Sequence, residues 1–314
     1  MSVRILHGDC RDVLKTLPDA SVHCCVTSPP YFGLRDYGMA EQIGLEQTPD
    51  AFVAELVAVF REVRRVLRDD GTLWLNLGDS YASNPGSGGK QTALMTGGEH
   101  KRTPNVRAYI RPEHLKPKDL IGIPWRVAFA LQADGWYLRQ DIIWSKPNPM
   151  PESVTDRCTK AHEYVFLMSK SERYSCDMDA IAEQATGAAP GNTGPTKGGR
   201  AAADGVEQHN TAANLHLIGA RETRNKRSVW TIATKPYSEA HFATMAPELA
   251  ETCIKAGCPV GGVVLDPFGG AGTTGLVGDR LQRDALLIEL NPDYAQIAEK
   301  RIKGDAPLFS EVSA

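Results

Sequence analysis

Residues Val263 to Gly275 read VVLDPFGGAGTTG, an apolar strand that ends on an acid and turns through a glycine loop into a helix. Glycine there lets backbone N–H groups approach a ligand, and the helix start adds partial positive charge, so the segment reads as a nucleotide-type cofactor site in an α/β fold. Gly270, Gly272 and Gly275 satisfy the pattern G-x-G-x-x-G, and Glu289 falls near the place of its ribose-binding acid. Asp266 alters the chemistry. A carboxylate at the strand end repels a pyrophosphate and suits a cofactor carrying an ammonium and a sulfonium, as S-adenosyl-L-methionine does.

Five apolar runs read as strands, and each stops at a polar residue: Asp9, Ser28, Asp79, Asp266 and Glu289. In an open parallel sheet the carboxyl ends of strands share one edge, where ligands bind, so these residues are expected to converge on a single crevice. Helices fall between the strands. Thr48, Pro49 and Asp50 open one whose apolar residues Phe52, Val53, Leu56, Val57, Phe60, Val63 and Leu67 keep helical spacing until Gly71. Others are expected over Ile123–Ala133, Pro247–Lys255, Thr273–Leu281 and Pro292–Ile302. Trp136–Trp144 and Glu163–Met168 read as an antiparallel pair that finishes one side of the sheet. Only about 25 residues follow Glu289, too few for the rest of a dinucleotide-binding domain, so the missing strands must come from upstream in a circular permutation.

The 314 residues suffice for a full α/β core, and the net charge of −3 does not by itself favour nucleic acid. Basic residues nevertheless cluster over 90–111 and 221–227. The start of the chain has neither a basic flank nor a long apolar region, and no stretch approaches membrane-spanning length, so the expected location is cytoplasmic without membrane contact. Seven cysteines without a C-x-x-C pair suggest neither a disulfide framework nor a metal site. Two stretches, 83–112 and 186–226, are rich in Gly, Asn and Thr and bury little core; the first reads as a flexible insertion.

A second motif stands upstream of the glycine loop, TSPPYFGLRDYG from Thr27. Together with LDPFGGAGTTG it resembles the DNA amino-methyltransferases, which modify the exocyclic nitrogen of cytosine or adenine. Its order, catalytic motif first, resembles the group called beta. The segments DIIWSKPNPMPESVTDR (141–157), AHEYVFLMSK (161–170) and KPYSEAHFATMAPELAETCI (235–254) resemble later motifs of that family. The resemblance implies a circularly permuted Rossmann-like methyltransferase fold, with a mainly parallel sheet, an antiparallel edge and a small recognition insertion. It divides the chain into a catalytic half over 1–185, a target-recognition segment over 186–227 and a cofactor half over 228–314.

By the same resemblance, Asp266, Phe268, Gly270 and Gly272 hold the methionine and adenosine parts of S-adenosyl-L-methionine. Glu289 takes the ribose diol, Asp9 lies near the adenine, and Phe242 closes over the methionine. Ser28, Pro29, Pro30 and Tyr31 form the catalytic lip. Ala271 stands where the family often has Ser, a tolerable change because the loop works through its backbone. The implied partner is duplex DNA, with Arg221, Arg224, Lys226 and Arg227 as candidate phosphate contacts; no metal is implied, and oligomeric state is left open, a homodimer included. Methylation at cytosine C5 requires a cysteine nucleophile, usually after proline, and no Pro-Cys pair occurs. Ser28 stands where adenine enzymes of the family more often carry Asp or Asn, which favours cytosine N4 over adenine N6. A nicotinamide-dependent oxidoreductase and a DNA-binding module without chemistry are the alternatives from other classes. Asp79 is read both as a site residue and as a helix cap.

Overall fold

The computed structural model describes residues 2–34, 36–39, 41–82, 112–185, 222–235, 237, 244–305 and 311–313. Its strands are β1 (Ser2–His7), β2 (Val22–Thr27), β3 (Leu67–Leu77), β4 (Tyr137–Ser145), β5 (His162–Ser169), β6 (Glu183–Gln184), β7 (Thr223–Arg224), β8 (Val229–Thr231), β9 (Val263–Asp266), β10 (Asp284–Glu289) and β11 (Glu311–Ser313). The helices are α1 (Cys10–Thr16), α2 (Pro49–Val66), α3 (Ile123–Ala133), α4 (Pro247–Gly257), α5 (Thr273–Arg280) and α6 (Pro292–Asp305).

Among the described residues one sheet has the order β11-β1-β10-β9-β2-β3-β5-β4-β8. Only β5 runs against the others, paired antiparallel with β3 on one side and β4 on the other. The short β8 then adds parallel to β4 at the rim, beyond the pair read from the sequence. β9 and β10, late in the chain, lie between β1 and β2, so spatial order departs from chain order as the permuted reading requires. From the centre, the connection after β9 leads to β10 on one side and the connection after β2 leads to β3 on the other. That reversal between adjacent strands opens a crevice outside their carboxyl ends.

Local chemistry sets α2 as the sequence suggests. Thr48 caps it by accepting the Ala51 N–H at 3.1 Å, Pro49 supplies the first turn, and Phe52, Leu56, Phe60 and Val63 form its buried stripe. The helix stops at Val66, earlier than its apolar spacing suggests, because Leu67 turns extended and joins β3 opposite Val22 of β2. Sheet pairing overrides helical periodicity there. The α1 turn, for which the sequence reading has no counterpart, starts on the cap formed by Asp9.

Side-chain alternation along β2 separates the two helical layers. Cys25 enters the core shared by α1, α2 and α3, whereas Cys24 points the other way, to α4, where a Cβ on Gly257 would lie 2.7 Å from its sulfur. All five strand-end acids and hydroxyls thereby project from one edge of a sheet covered on both faces. Residues Met178–Arg227 cluster as a separate unit whose described part contains β6 and β7. The expected insertion at 83–112 lies outside the described residues apart from Pro112.

β9 is also anchored at its start. The Val263 N–H donates to His23 Nδ1 at 3.0 Å, which requires that nitrogen to be unprotonated. Partial burial pushes the His23 pKa below its usual 6.5, the Arg68 charge lowers it further, and Asp70 opposes the shift. A histidine depressed in the fold takes up its proton more readily when unfolded. Its contribution is therefore complete above pH 6.5 and is lost as pH falls through the folded-state value. Urea unfolding at pH 8 and pH 5 should show a His23-dependent loss at the lower pH. The half-exposed ring limits it to under about 1 kcal/mol, and His23→Phe should remove it.

Candidate active site

Across the carboxyl edge the order of side chains follows the order of strands. Asp9 follows β1, Glu289 ends β10, Asp266 ends β9, Thr27 and Ser28 end β2, and Asn76 and Gly78 close β3. Glu163 opens the antiparallel β5, which brings it to the same edge, and Lys146 follows β4. Neighbouring strands are about 4.8 Å apart, so this series forms one continuous rim.

At its centre Asp266 is only 4% exposed. Its Oδ1 accepts the Thr27 hydroxyl at 2.6 Å and the Phe268 N–H at 3.1 Å, while Oδ2 accepts the Thr274 hydroxyl at 2.7 Å. Burial raises its pKa, and these three donors oppose the rise. The carboxylate thus clamps the end of β2, the glycine loop and the first turn of α5 together. Beyond the loop, Glu289 accepts the Gly270 N–H at 2.7 Å through Oε2 and the Asn291 N–H at 2.8 Å through Oε1. Burial raises the Glu289 pKa too, the two N–H bonds oppose it, and the Asp266 charge adds to the rise.

The loop between these acids is shaped by two left-handed glycines. Gly272 has φ +77°, and a Cβ there would stand 2.8 Å from that of Ala298. Gly270 has φ +50°, and a Cβ on it would meet no atom closer than 3.9 Å, so the loop presents bare backbone to open space at this point. A cationic nucleoside fits these surroundings. Each Glu289 oxygen has a lone pair to spare for a diol hydroxyl, and a carboxylate whose pKa is raised chiefly by burial, with the Asp266 charge adding to it, favours a positive charge beside it. Asp266 holds the loop through the Phe268 N–H and the Thr274 hydroxyl. Phe268 is half-buried and packs on the core, whereas Phe242 lies outside the described residues.

Asp9 caps α1 through the Arg11 N–H at 2.8 Å and takes the Arg11 guanidinium, Nε to Oδ1 at 3.0 Å. Burial alone would raise its pKa, but the Arg11 bonds and charge together hold it below the usual value. Asp79 resolves as a cap: its Oδ1 accepts the Gly122 and Ile123 N–H groups at 3.0 Å, at the start of α3.

On the other side of Asp266 stands the lip. Pro29 is buried, and Ser28, Pro30 and Tyr31 are half-buried. The Tyr31 ring lies on Gly78, where a Cβ would come within 2.5 Å of Cε2. Its hydroxyl donates to Glu163 Oε2 at 2.6 Å. Of the candidate phosphate contacts, Arg221 lies outside the described residues, while Arg224 and Arg227 both donate to Glu183 Oε1, at 2.9 and 2.6 Å, within their own unit. Among the described residues no cluster of three or more His, Cys, Asp or Glu is placed to hold a metal, and no helix is long and apolar enough to cross a membrane.

The DNA methylase family denoted N6_N4_Mtase matches residues 22–300, spanning both the lip and the glycine loop. The chain belongs to this family. Its relatives include the Type II methyltransferases M.XycI of Xanthomonas campestris pv. cyanopsidis, 48% identical over 96% of this chain and 87% of that protein, and M.SmaI of Serratia marcescens, 46% identical over 96% and 91%. Among solved structures, a Thermus thermophilus protein complexed with S-adenosyl-L-methionine superposes with a TM-score of 0.60 at 25% identity, with full coverage of both chains. The PvuII DNA methyltransferase (cytosine-N4-specific) shares the fold, with a TM-score of 0.64 at 18% identity over 96% of this chain and 86% of that one. S-adenosyl-L-methionine is the cofactor of this methylase.

Sequence reading of the methylase site misses the partners that hold its acids and its tyrosine. Thr27 and Thr274 lie inside the two motifs, so their hydroxyls were visible, but nothing in the spacing pairs residues 239 apart in the chain. Removing the clamp has a measurable cost. Asp266→Ala leaves the buried Thr27 hydroxyl and the Phe268 N–H without their acceptor, while the Thr274 hydroxyl keeps the Val26 carbonyl at 3.3 Å, and should lower stability by about 1–3 kcal/mol in urea unfolding.

Proposed function

We propose that this methylase transfers a methyl group from S-adenosyl-L-methionine to the exocyclic N4 of cytosine in duplex DNA, by direct displacement on an extruded base. The observation that carries the reading is the 2.6 Å bond from Thr27 to Asp266, which joins the strand bearing Ser28 to the strand bearing the glycine loop. The lip and the cofactor loop are therefore neighbours on one crevice. The Asp266 carboxylate at the end of β9 disfavours a pyrophosphate and so the nicotinamide reading.

The cofactor supplies a methyl group on a positively charged sulfur. The rest of the chemistry falls to the chain. An aromatic amine is a poor nucleophile because its lone pair is delocalised into the ring. The Ser28 hydroxyl and the Pro29 carbonyl are suited to accept its two N–H groups and draw the lone pair out towards the methyl group. Pro29 and Pro30, which have no N–H and fixed φ, keep that carbonyl free of a competing donor and stiffen the lip. Rate enhancement then comes from positioning and charge stabilisation without a covalent enzyme intermediate. Extrusion of the base costs a few kcal/mol, and stacking on Tyr31 returns about 1–3 kcal/mol.

In this reading Glu289 and the backbone at Gly270 and Gly272 bind the nucleoside, with Phe268, Phe242 and Asp9 around it. The segment 186–227 reads the target sequence, and Arg221, Arg224, Lys226 and Arg227 contact phosphates, with Glu183 orienting two of these arginines. Serine at position 28, against the Asp or Asn usual in adenine enzymes of the family, supports cytosine as the base.

Mass spectrometry of nucleosides from DNA treated with the protein and its cofactor should show N4-methylcytosine; N6-methyladenine alone would reassign the base, and neither product would end the reading. Glu289→Ala should abolish cofactor binding by calorimetry, whereas Tyr31→Ala should retain it and lose turnover. Equal loss of cofactor affinity in both would contradict this division of labour. Replacing Arg224 and Arg227 with Gln should make DNA affinity less sensitive to salt, the logarithmic slope falling by about 0.9 for each phosphate no longer neutralised. An unchanged slope would return both to a structural role beside Glu183.

A further inference from the structure

The lip is held at a point the two motifs do not contain. Glu163 Oε2 accepts the Tyr31 hydroxyl at 2.6 Å and the Asn76 Nδ2 at 3.2 Å, and Oε1 pairs with Lys146 Nζ. The side chains of Glu163 and Lys146 are 15% and 18% exposed. Lys146 also lies over the Trp144 ring, 4.4 Å from its centroid, and Asn76 spans from Glu163 to the Tyr164 carbonyl at 3.1 Å. Four strands thus supply one polar knot: β2 through the lip, β3 through Asn76, β5 through Glu163 and β4 through Lys146.

The phenol has one proton to give. Asn76 Oδ1 stands 3.4 Å from the Tyr31 oxygen, so the proton goes to the nearer and charged Glu163. Three constraints then fix the ring: the proline pair at its backbone, Gly78 under its face, and Glu163 at its hydroxyl. Swinging the ring away breaks a charge-assisted bond and leaves Glu163 with one donor fewer. A stacking surface held in place before substrate arrives avoids the entropy loss of ordering it on binding.

We infer that Glu163, neutralised by Lys146, is a positioning residue that locks the Tyr31 ring in the plane on which the extruded base stacks. The inference rests on Tyr31 being the stacking surface. Glu163 touches no reacting atom, and its role predicts a specific coupling: the tyrosine hydroxyl and the glutamate act as one unit, so losing either should cost the same as losing both.

The test uses the full chain with S-adenosyl-L-methionine and a duplex carrying its methylation site, located beforehand by sequencing DNA methylated by the wild-type protein. Tyr31→Phe keeps the ring and removes only the hydroxyl; Glu163→Gln keeps the shape and removes the charge. Each should slow single-turnover methyl transfer about tenfold, with cofactor affinity and the KM for DNA within about twofold of wild type. The double variant Tyr31→Phe/Glu163→Gln should be no slower than the slower single variant. With 2-aminopurine at the target position, the fluorescence rise on base extrusion should be weaker in both single variants. Should Glu163→Gln fold poorly beside an uncompensated Lys146, Glu163→Gln/Lys146→Met gives a neutral pair for the same cycle, and Tyr31→Phe alone still decides. A Tyr31→Phe rate equal to wild type, or rate losses that multiply in the double variant, overturns the inference. Failure of the wild-type protein to methylate DNA would instead overturn the underlying functional reading, so the two failures are distinguishable.

Discussion

The buried carboxylate of Asp266 is the tie on which the site depends. It receives one hydroxyl from the strand that leads into the lip, one from the helix that leaves the loop, and the N–H that begins the loop turn. A charge this deep is tolerated because these three donors face it. The arrangement turns an electrostatic cost into a geometric constraint: the two motifs cannot move apart without stranding the acid. The permuted chain depends on such a tie, since its two motifs are far apart in sequence and come together where β2 pairs with β9.

Charge is graded along the rim on either side of this tie. Towards β10 and β1 the groups are acidic, with Glu289 shifted upwards by burial and by its neighbour and Asp9 shifted downwards by Arg11. Towards β5 and β4 an acid and a base are paired at the hydroxyl of an aromatic ring. One sheet edge thereby offers a region that favours a cationic nucleoside and, two strands away, a rigid aromatic surface with neutralised support. The helical layers on both faces exclude water from the strands beneath, which strengthens each of these interactions.

Much of this was legible in the chain. Apolar runs ending in Asp9, Ser28, Asp79, Asp266 and Glu289 predict a parallel sheet with one functional edge, and the helices at 49, 123, 247, 273 and 292 begin where proline and threonine signals put them. Element type is readable because periodicity and capping are local properties. Boundaries were less so. The helix expected to run to Gly71 gives way at Val66, since the strand that follows gains more from pairing with β2 than from another helical turn. The short β8 and β11, two isolated runs of three residues, have no pattern of their own and exist through the strands they join.

For the site, the amino-acid sequence by itself determined the chemical inventory: a serine and two prolines before a tyrosine, an acid before a glycine loop, and a second acid at a later strand end. These are statements about residue type and spacing, which neighbours along the chain suffice to express. Tertiary structure alone decided how each is used. Asp79 became a helix cap, Asp9 a cap locked to Arg11, and Glu163, legible only as the start of a strand, became the anchor of Tyr31. The physical reason is that a hydrogen bond depends on distance and direction between groups. For residues such as Tyr31 and Glu163, 132 positions apart, only the assembled sheet sets those.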